Sequence, residues 1–382
     1  MNSGIRVLRV LGNLNRGGIE TNIMNLYRKT EREKVQFDFV IHTTETCSYE
    51  KEIQELGGKI YRIPKFTGTN FFQYKKAWEE LFENHKEYKI IHCHVRSTAS
   101  IYMPIAKKHG LITIAHSHNT SSGSGLKAII KDVFQIPIRY QADYMLACSE
   151  DAGKWLFGKK ALQKDTFKVV YNSIDTKKYI FSALVRKDER EKLGIKNNAF
   201  VIGNVGRFHP QKNHKYLLEI FEKISQNNKD AILLLVGDGV LREEIKNKIS
   251  EKNLNKKVIL TGETSKVFNL LQAMDVFVFP SLFEGFGNVL LEAQSNGLPC
   301  VISDNIPKST HIIPSLIHSL SLNDNIDLWV KTICCSKRET HFPCDEFVAE
   351  AGFDVNKTAK WYQNFYLEIY KGGKNISLKD VT

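Results

Sequence analysis

Short apolar runs alternate with helix-period stretches along most of the chain. The first half carries such runs at residues 5–11, 37–43, 59–63, 89–95, 111–118, 144–148 and 167–172. The second half carries them at 200–208, 231–237, 257–262, 276–281 and 299–304. Several, such as "AILLLV" and "VFVF", are continuously apolar rather than alternating. That pattern predicts parallel strands covered on both faces, and strands alternating with helices predict doubly wound α/β domains.

The alternation breaks between about residues 175 and 199, where "DTKKYIFSALVRKDEREKLGIKNNA" is polar, charged and helix-prone. This stretch reads as the passage from one domain to the next. The chain therefore divides into a domain over 1–170 and a second over 171–356, each Rossmann-like. Near the end, Trp361, Phe365 and Ile369 recur at four-residue steps, as do Tyr362, Tyr366 and Tyr370. Two adjacent aromatic stripes predict one helix, over 357–382, with a broad buried face.

Composition narrows the class. With 382 residues and a 42 % apolar fraction, the chain reads as a two-domain globular protein. No run approaches the length of a membrane span, and the N-terminal apolar core is too short for a signal peptide, so it reads as a first strand. The seven scattered cysteines include no Cys-x-x-Cys, which argues for reduced thiols in a cytoplasm rather than a disulfide framework or a zinc site. Residues 1–200 hold 33 of the 54 basic and 21 of the 42 acidic residues, so this half carries the whole +12 net charge. Such asymmetry points to an anionic partner. Zinc-finger spacings and aromatic RNA-binding signatures are absent, so nucleic acid is not expected.

Four strand ends carry unusual chemistry. The first leads into Gly17-Gly18 before a helical pattern, placing bare N–H groups where an anion can sit. The first strand of the second half leads into "GRFHPQKN", where Arg207 and Lys212 flank a turn and suit a diphosphate. The strand "FVFPS" leads through "LFEGFGN" into the helix "NVLLEAQSNG", with Glu284 in the loop and Glu292 about one turn into the helix. Both carboxylates are expected to face one ligand, accepting hydrogen bonds from vicinal hydroxyls, while the N–H groups of Phe286, Gly287, Asn288 and Val289 receive phosphate. Finally, "IHCHV" (His92, His94) and "IAHSH" (His116, His118) each place a His-x-His at a strand end. Zinc is weighed and set aside: the pairs lack an acidic third ligand and are read as diverging along their strands. They read instead as polar groups aimed at a substrate hydroxyl.

In this order, "GGIETNIMNL", "YNSIDTKKY", "GRFHPQKN", "LLLVGDG" and "FPSLFEGFGNVLLEAQSNGLPCVISD" resemble the retaining glycosyltransferases of family four, especially those of bacterial exopolysaccharide and capsule assembly. The resemblance implies the GT-B fold, two facing Rossmann-like domains with a final helix crossing back to the first. It implies a nucleotide-sugar donor, most simply UDP-linked, and a glycan or lipid-linked glycan acceptor. Arg207 and Lys212 would hold the diphosphate, with Gly17-Gly18 approaching it; Glu292 would bind the ribose and Glu284 the donor sugar. Thr264, in "TGETS", would lie by the base. His116 matches the active-site histidine better than His118, since it directly follows "LITIA". Arg207, Lys212, Glu284 and His116 are thus the catalytic candidates. No metal or other cofactor is expected, and no Asp-x-Asp is present to hold one. The chain departs from the family pattern in "HIIPSLIHSLSL", which lacks the usual glycine-containing loop before a further strand. A nucleotide-sugar epimerase of the same fold, or a non-catalytic nucleotide-sugar-binding partner, is the alternative.

The basic half would hold the acceptor. A lipid-linked acceptor would bring it to the inner face of the cell membrane. Lys127, Lys131 and Arg139 are interleaved with Ile129, Ile130, Val133 and Phe134, and Lys154, Lys159 and Lys160 bracket "WLF" at 155–157. Either these apolar residues pack inward or the segment attaches peripherally to an anionic leaflet.

Overall fold

The computed structural model describes residues 4–123, 125–338, 342–374, 376–379 and 381, without the side chains of Lys127 and Ala128. The chain forms two compact units, Met1–Ser173 with Val355–Thr382, and Ile174–Asp354.

In the first unit, β1 (Ile5–Leu11), β2 (Val35–Ile41), β3 (Ile60–Arg62), β4 (Ile90–Cys93), β5 (Ile112–Ser117), β6 (Tyr144–Ala147) and β7 (Phe167–Val169) form one parallel sheet. Its order is β3-β2-β1-β4-β5-β6-β7. The central strands β2, β4, β5 and β6 are buried along their whole length, as parallel strands covered on both faces are, and the polar residues they carry, such as Asp38, His92 and His116, are buried with them. Helix α1 (Gly18–Lys29) follows β1, and α2 (Leu126–Gln135) lies between β5 and β6.

The second unit repeats the plan. Strands β8 (Phe200–Val205), β9 (Ala231–Val236), β10 (Val258–Gly262), β11 (Val276–Phe279), β12 (Cys300–Ser303) and β13 (Ile317–Leu320) form a parallel sheet of order β10-β9-β8-β11-β12-β13. Helix α3 (His214–Asn227) follows β8, and α4 (Asn288–Ser295) follows β11. β13 falls inside the glycine-free stretch that carries no strand signal. It is short, half-exposed and at the sheet edge, and its sequence "IHSL" has no apolar run to announce it. The charged stretch after Asp175 belongs wholly to this unit. It forms a helix, Ala183–Lys192, held by Arg186 and Arg190, which both pair with Asp275; Arg190 is fully buried and lies 2.8 Å from that carboxylate.

The last helix, α5 (Val355–Gly372), returns to the first unit. Tyr362, Phe365, Tyr366 and Ile369 are buried there with Val7, Phe37 and Ile114 of the sheet. Each such side chain removed from water contributes about 1.5–3 kcal/mol, so the aromatic stripe holds the helix in place. By composition the first unit has 31 basic and 19 acidic residues and the second 23 of each, so the charge boundary coincides with the structural one.

Candidate active site

Both sheets reverse strand order next to their first strand, between β1 and β4 and between β8 and β11. Ligands in such sheets sit beyond the C-terminal strand ends at this switch point. Each unit gathers its polar chemistry there.

In the second unit the chain leaves β8 through Gly206, where a Cβ would come within 3.0 Å of Lys212 Cε. Glycine lets the lysine stem lie across the turn. Gly237, after β9, has φ 137° and a Cβ there would strike Gly206 O at 2.1 Å, so the "VGDG" loop can press against the first loop only as glycine. Arg207 is exposed and has no ion-pair partner among the described residues. His209 Nδ1 accepts from Gln211 N at 3.3 Å, opening a tight turn that ends at Asn213, left-handed at φ 54°, where α3 begins.

The loop after β11 is tied to that turn. Leu282 N donates to Gln211 O at 2.8 Å, and Gln211 Nε2 donates to Phe283 O at 2.8 Å and to Glu284 Oε2 at 3.3 Å. Lys212 Nζ lies 2.7 Å from Glu284 Oε1, with the two side chains 15 % and 7 % exposed. The same ammonium sits 4.5 Å from the centre of the Phe279 ring. The separate roles expected of Lys212 and Glu284 thus meet in one shielded ion pair. Gly287, at φ 88° and ψ 58°, turns the chain into α4 and brings no side chain to the helix mouth. Phe286 is buried against Phe353, ring centres 5.8 Å apart, which anchors the loop just before that mouth. Asn288 and Val289 form the first turn of α4.

Glu292, half-buried one turn further on, has different surroundings. Burial dominates and pushes its carboxyl up to about 7, against the opposing pull of a Tyr179 hydrogen bond and the Lys178 charge. Tyr179 is fixed by Asn296 Nδ2, which donates to its carbonyl at 2.6 Å. Sequence reading marked the "YNSIDTKKY" turn but missed Tyr179 as a neighbour of Glu292; its aromatic ring closing a basic turn was the available signal. Thr264 Oγ1 accepts from Lys266 N at 3.0 Å, so this hydroxyl shapes the loop after β10.

In the first unit, Gly17 caps α1 with ordinary extended backbone, and Gly18 opens the helix. A Cβ on Gly17 would lie 2.2 Å from Glu20 Oε2. The helix mouth is therefore covered by a carboxylate of its own first turn, which the anion-seat expectation did not include.

The histidine pairs overturn the expectation of divergence. Residues two apart on a strand share a face, and β4 and β5 are neighbours, so four rings stack together. Ring centres are 4.3 Å apart for His92 and His94 and 4.0 Å for His116 and His118. His92 Nε2 lies 3.3 Å from His116 Nδ1, and His94 Nδ1 lies 2.8 Å from His118 Nε2. One ring nitrogen each of His92, His94 and His116 fall within 4.8 Å of one another, so these three have the spacing of a metal cluster. Fully buried Arg9 stands beside them, its Nη1 3.3 Å from His94 Nε2, and repels a cation. Burial first, with charges including Arg9, holds all four imidazoles well below their usual range, His118 at about 3.

Two parallel six- and seven-stranded Rossmann-like units, one with a cationic turn facing a glycine-opened helix mouth, define the GT-B class of sugar-transferring enzymes. The family model for "Glycosyltransferase Family 4" matches residues 16–178, and that for "Glycosyl transferases group 1" matches residues 185–327. The chain is 34 % identical over 370 residues to the putative glycosyltransferase EpsF of Bacillus subtilis, covering 94 % of this chain and 96 % of that one. It is 36 % identical over 228 residues to the Escherichia coli UDP-Gal:α-D-GlcNAc-diphosphoundecaprenol α-1,3-galactosyltransferase, covering 57 % and 58 % of the two chains. Among solved structures, Anabaena HepE in complex with UDP superposes with TM-score 0.73 at 16 % identity, over 95 % of this chain and all of that one. The chain belongs to the group 1, family 4 glycosyltransferases and is a glycosyltransferase.

Proposed function

We propose that this protein transfers a sugar from a UDP-linked donor to a lipid-linked glycan acceptor, with retained anomeric configuration, in surface polysaccharide assembly. The observation that carries it is the Lys212–Glu284 pair, with exposed Arg207 in the same loop and without an ion-pair partner among the described residues, at the β8–β11 switch point. A diphosphate entering there meets Arg207 and competes with Glu284 for Lys212. Released from the ammonium, Glu284 accepts hydrogen bonds from sugar hydroxyls, while Arg207 and Lys212 stabilise charge growing on the leaving diphosphate. The N–H groups at the mouth of α4 receive phosphate oxygens. Glu292 takes the ribose hydroxyls, and the loop bearing Thr264 lies by the base. The departing phosphate accepts the acceptor hydroxyl's proton on the same face of the sugar. No metal is assigned a step, since Arg207 and Lys212 supply the positive charge. A lipid-linked acceptor is supported by the galactosyltransferase relative, which is named for a diphosphoundecaprenol-linked sugar.

A membrane-borne acceptor also fits α2. Ile129, Ile130 and Val133 are 59 %, 49 % and 58 % exposed, and Phe134 is 38 % exposed, so the inward-packing alternative fails. They lie on the unit that carries the whole net charge, with Lys131 exposed beside them. Leu156 and Phe157, by contrast, are buried, and Lys154 is paired with Glu150 and Asp151, so the second basic segment offers no apolar face. No helix among the described residues is long and apolar enough to cross a membrane, so the contact proposed is peripheral, at the inner leaflet.

Incubation with a panel of UDP-sugars and a polyprenyl-diphosphate-linked sugar tests the reading. A new glycosidic bond with the donor's anomeric configuration, read by NMR, is expected. Free sugar, an interconverted donor, or binding without turnover would replace it by hydrolysis, epimerisation or a non-catalytic partner respectively.

A further inference from the structure

Arg9 is a fully buried cation with no carboxylate partner among the described residues. Its guanidinium lies 4.0 Å from the Phe37 ring centre, and it touches two other groups, Tyr366 on α5 and His94 after β4. A guanidinium can only donate hydrogen bonds. This fixes the direction of every bond downstream of it, although the ring nitrogens taken singly allow either direction.

The first chain runs through α5. Arg9 Nη2 donates to the Tyr366 hydroxyl at 2.7 Å. That hydroxyl lies 2.7 Å from His92 Nδ1, and its own proton has this nitrogen to go to. His92 then accepts at Nδ1 and carries its proton on Nε2, which donates to His116 Nδ1 at 3.3 Å. The Tyr362 hydroxyl, 3.5 Å from the same His116 nitrogen, also approaches it as a donor. His116 is left with its proton on Nε2, a buried atom with no hydrogen-bond partner among the described residues. The second chain is shorter. Arg9 Nη1 donates to His94 Nε2, so His94 carries its proton on Nδ1 and donates to His118 Nε2 at 2.8 Å. His118 is left with its proton on Nδ1, again buried and without a partner among the described residues.

We propose that Arg9 is a positioning residue that, through Tyr366 and His92 on one side and His94 on the other, fixes His116 and His118 as a stacked pair of neutral N–H donors reserved for an oxygen of the ligand. The depressed basicity of all four rings agrees with this. In this arrangement neither His116 nor His118 is a base. An unpaired buried N–H is costly, and the two on these stacked rings regain a partner when a ligand oxygen arrives. That the ligand is a transferase substrate rests on the proposed function; the tautomers do not.

The test uses the full chain labelled with 15N-histidine, with long-range 1H–15N correlation to report the protonated nitrogen of each ring, and His116→Asn and His118→Asn to assign the signals. Neutral His116 with Nε2–H and neutral His118 with Nδ1–H are expected at pH 7. Tyr366→Phe keeps the buried ring and removes one link, so His116 is expected to become a mixture of tautomers while His118 stays unchanged. Arg9→Gln is expected to release both, and Arg9→Lys to restore at least the shorter chain. The opposite tautomer at either ring, a charged His116 at pH 7, equal disturbance of both rings by Tyr366→Phe, or stoichiometric Zn2+ binding abolished by His92→Asn would each overturn the assignment. None of these readouts requires turnover, so a failed transferase assay leaves the tautomer result standing.

Discussion

Lys212 Nζ and Glu284 Oε1 lie 2.7 Å apart although 72 residues separate them in the chain, and both side chains are largely shielded from water. Each neutralises the other until an anion arrives. Lys212→Ala is expected to weaken UDP binding at least tenfold and also to destabilise, because it strands Glu284; breaking a buried pair on one side costs about 3–5 kcal/mol. Glu284→Gln is expected to leave UDP binding equal or tighter, since Lys212 is set free, while transfer falls sharply. Calorimetric titration with UDP beside initial rates separates the two. Loss of UDP binding in Glu284→Gln would mean that the carboxylate itself holds the nucleotide.

Arg207 is exposed and has no ion-pair partner among the described residues, so Arg207→Ala should spare the fold. Its melting temperature should match that of the wild type, as surface changes cost within about 0.5 kcal/mol. Its kcat should drop roughly 10²–10³-fold, the usual loss of one donor that stabilises developing charge. A drop in stability with unchanged kcat would remove it from the diphosphate site.

Glu292 makes pH a probe. Its carboxyl is raised from 4.5 to about 7 in the native state, so the native state holds the proton more tightly than the unfolded chain. The resulting stabilisation is complete below pH 4.5 and is lost as pH rises to about 7. Glu292→Gln should therefore melt higher than wild type at pH 8 and show little difference at pH 4.5. UDP binding to wild type should strengthen between pH 6 and 8 as the carboxylate forms to receive the ribose hydroxyls, and Glu292→Gln should lose that dependence. Identical pH curves in the two proteins would detach Glu292 from the ribose.

The exposed face of α2 is tested by flotation with vesicles. Binding to anionic vesicles at low salt is expected, with release at high salt, since each basic residue near the surface contributes about 1 kcal/mol and is screened beyond a Debye length. Ile130→Glu with Val133→Glu should abolish it and leave UDP binding intact. Binding that ignores lipid charge, or survives the double substitution, would rule out this face.

The sequence by itself determined the local order of the molecule. Twelve strands, the two glycine-opened helix mouths and the buried aromatic helix were legible because apolar runs, period and turn residues act over a few positions. It placed Arg207, Lys212, Glu284 and Glu292 at strand ends for the same reason. β13 escaped because an edge strand need not be apolar. The tertiary structure alone decided who meets whom. Strand order sets β8 beside β11 and β1 beside β4, and only that neighbourhood lets Lys212 reach Glu284 and aligns Arg9 with His92. Tyr366 meets His92 across 274 residues because α5 folds back onto the first sheet. Side-chain pairing, burial and the ionisation that follows depend on distances through space, and no local pattern in the chain encodes them.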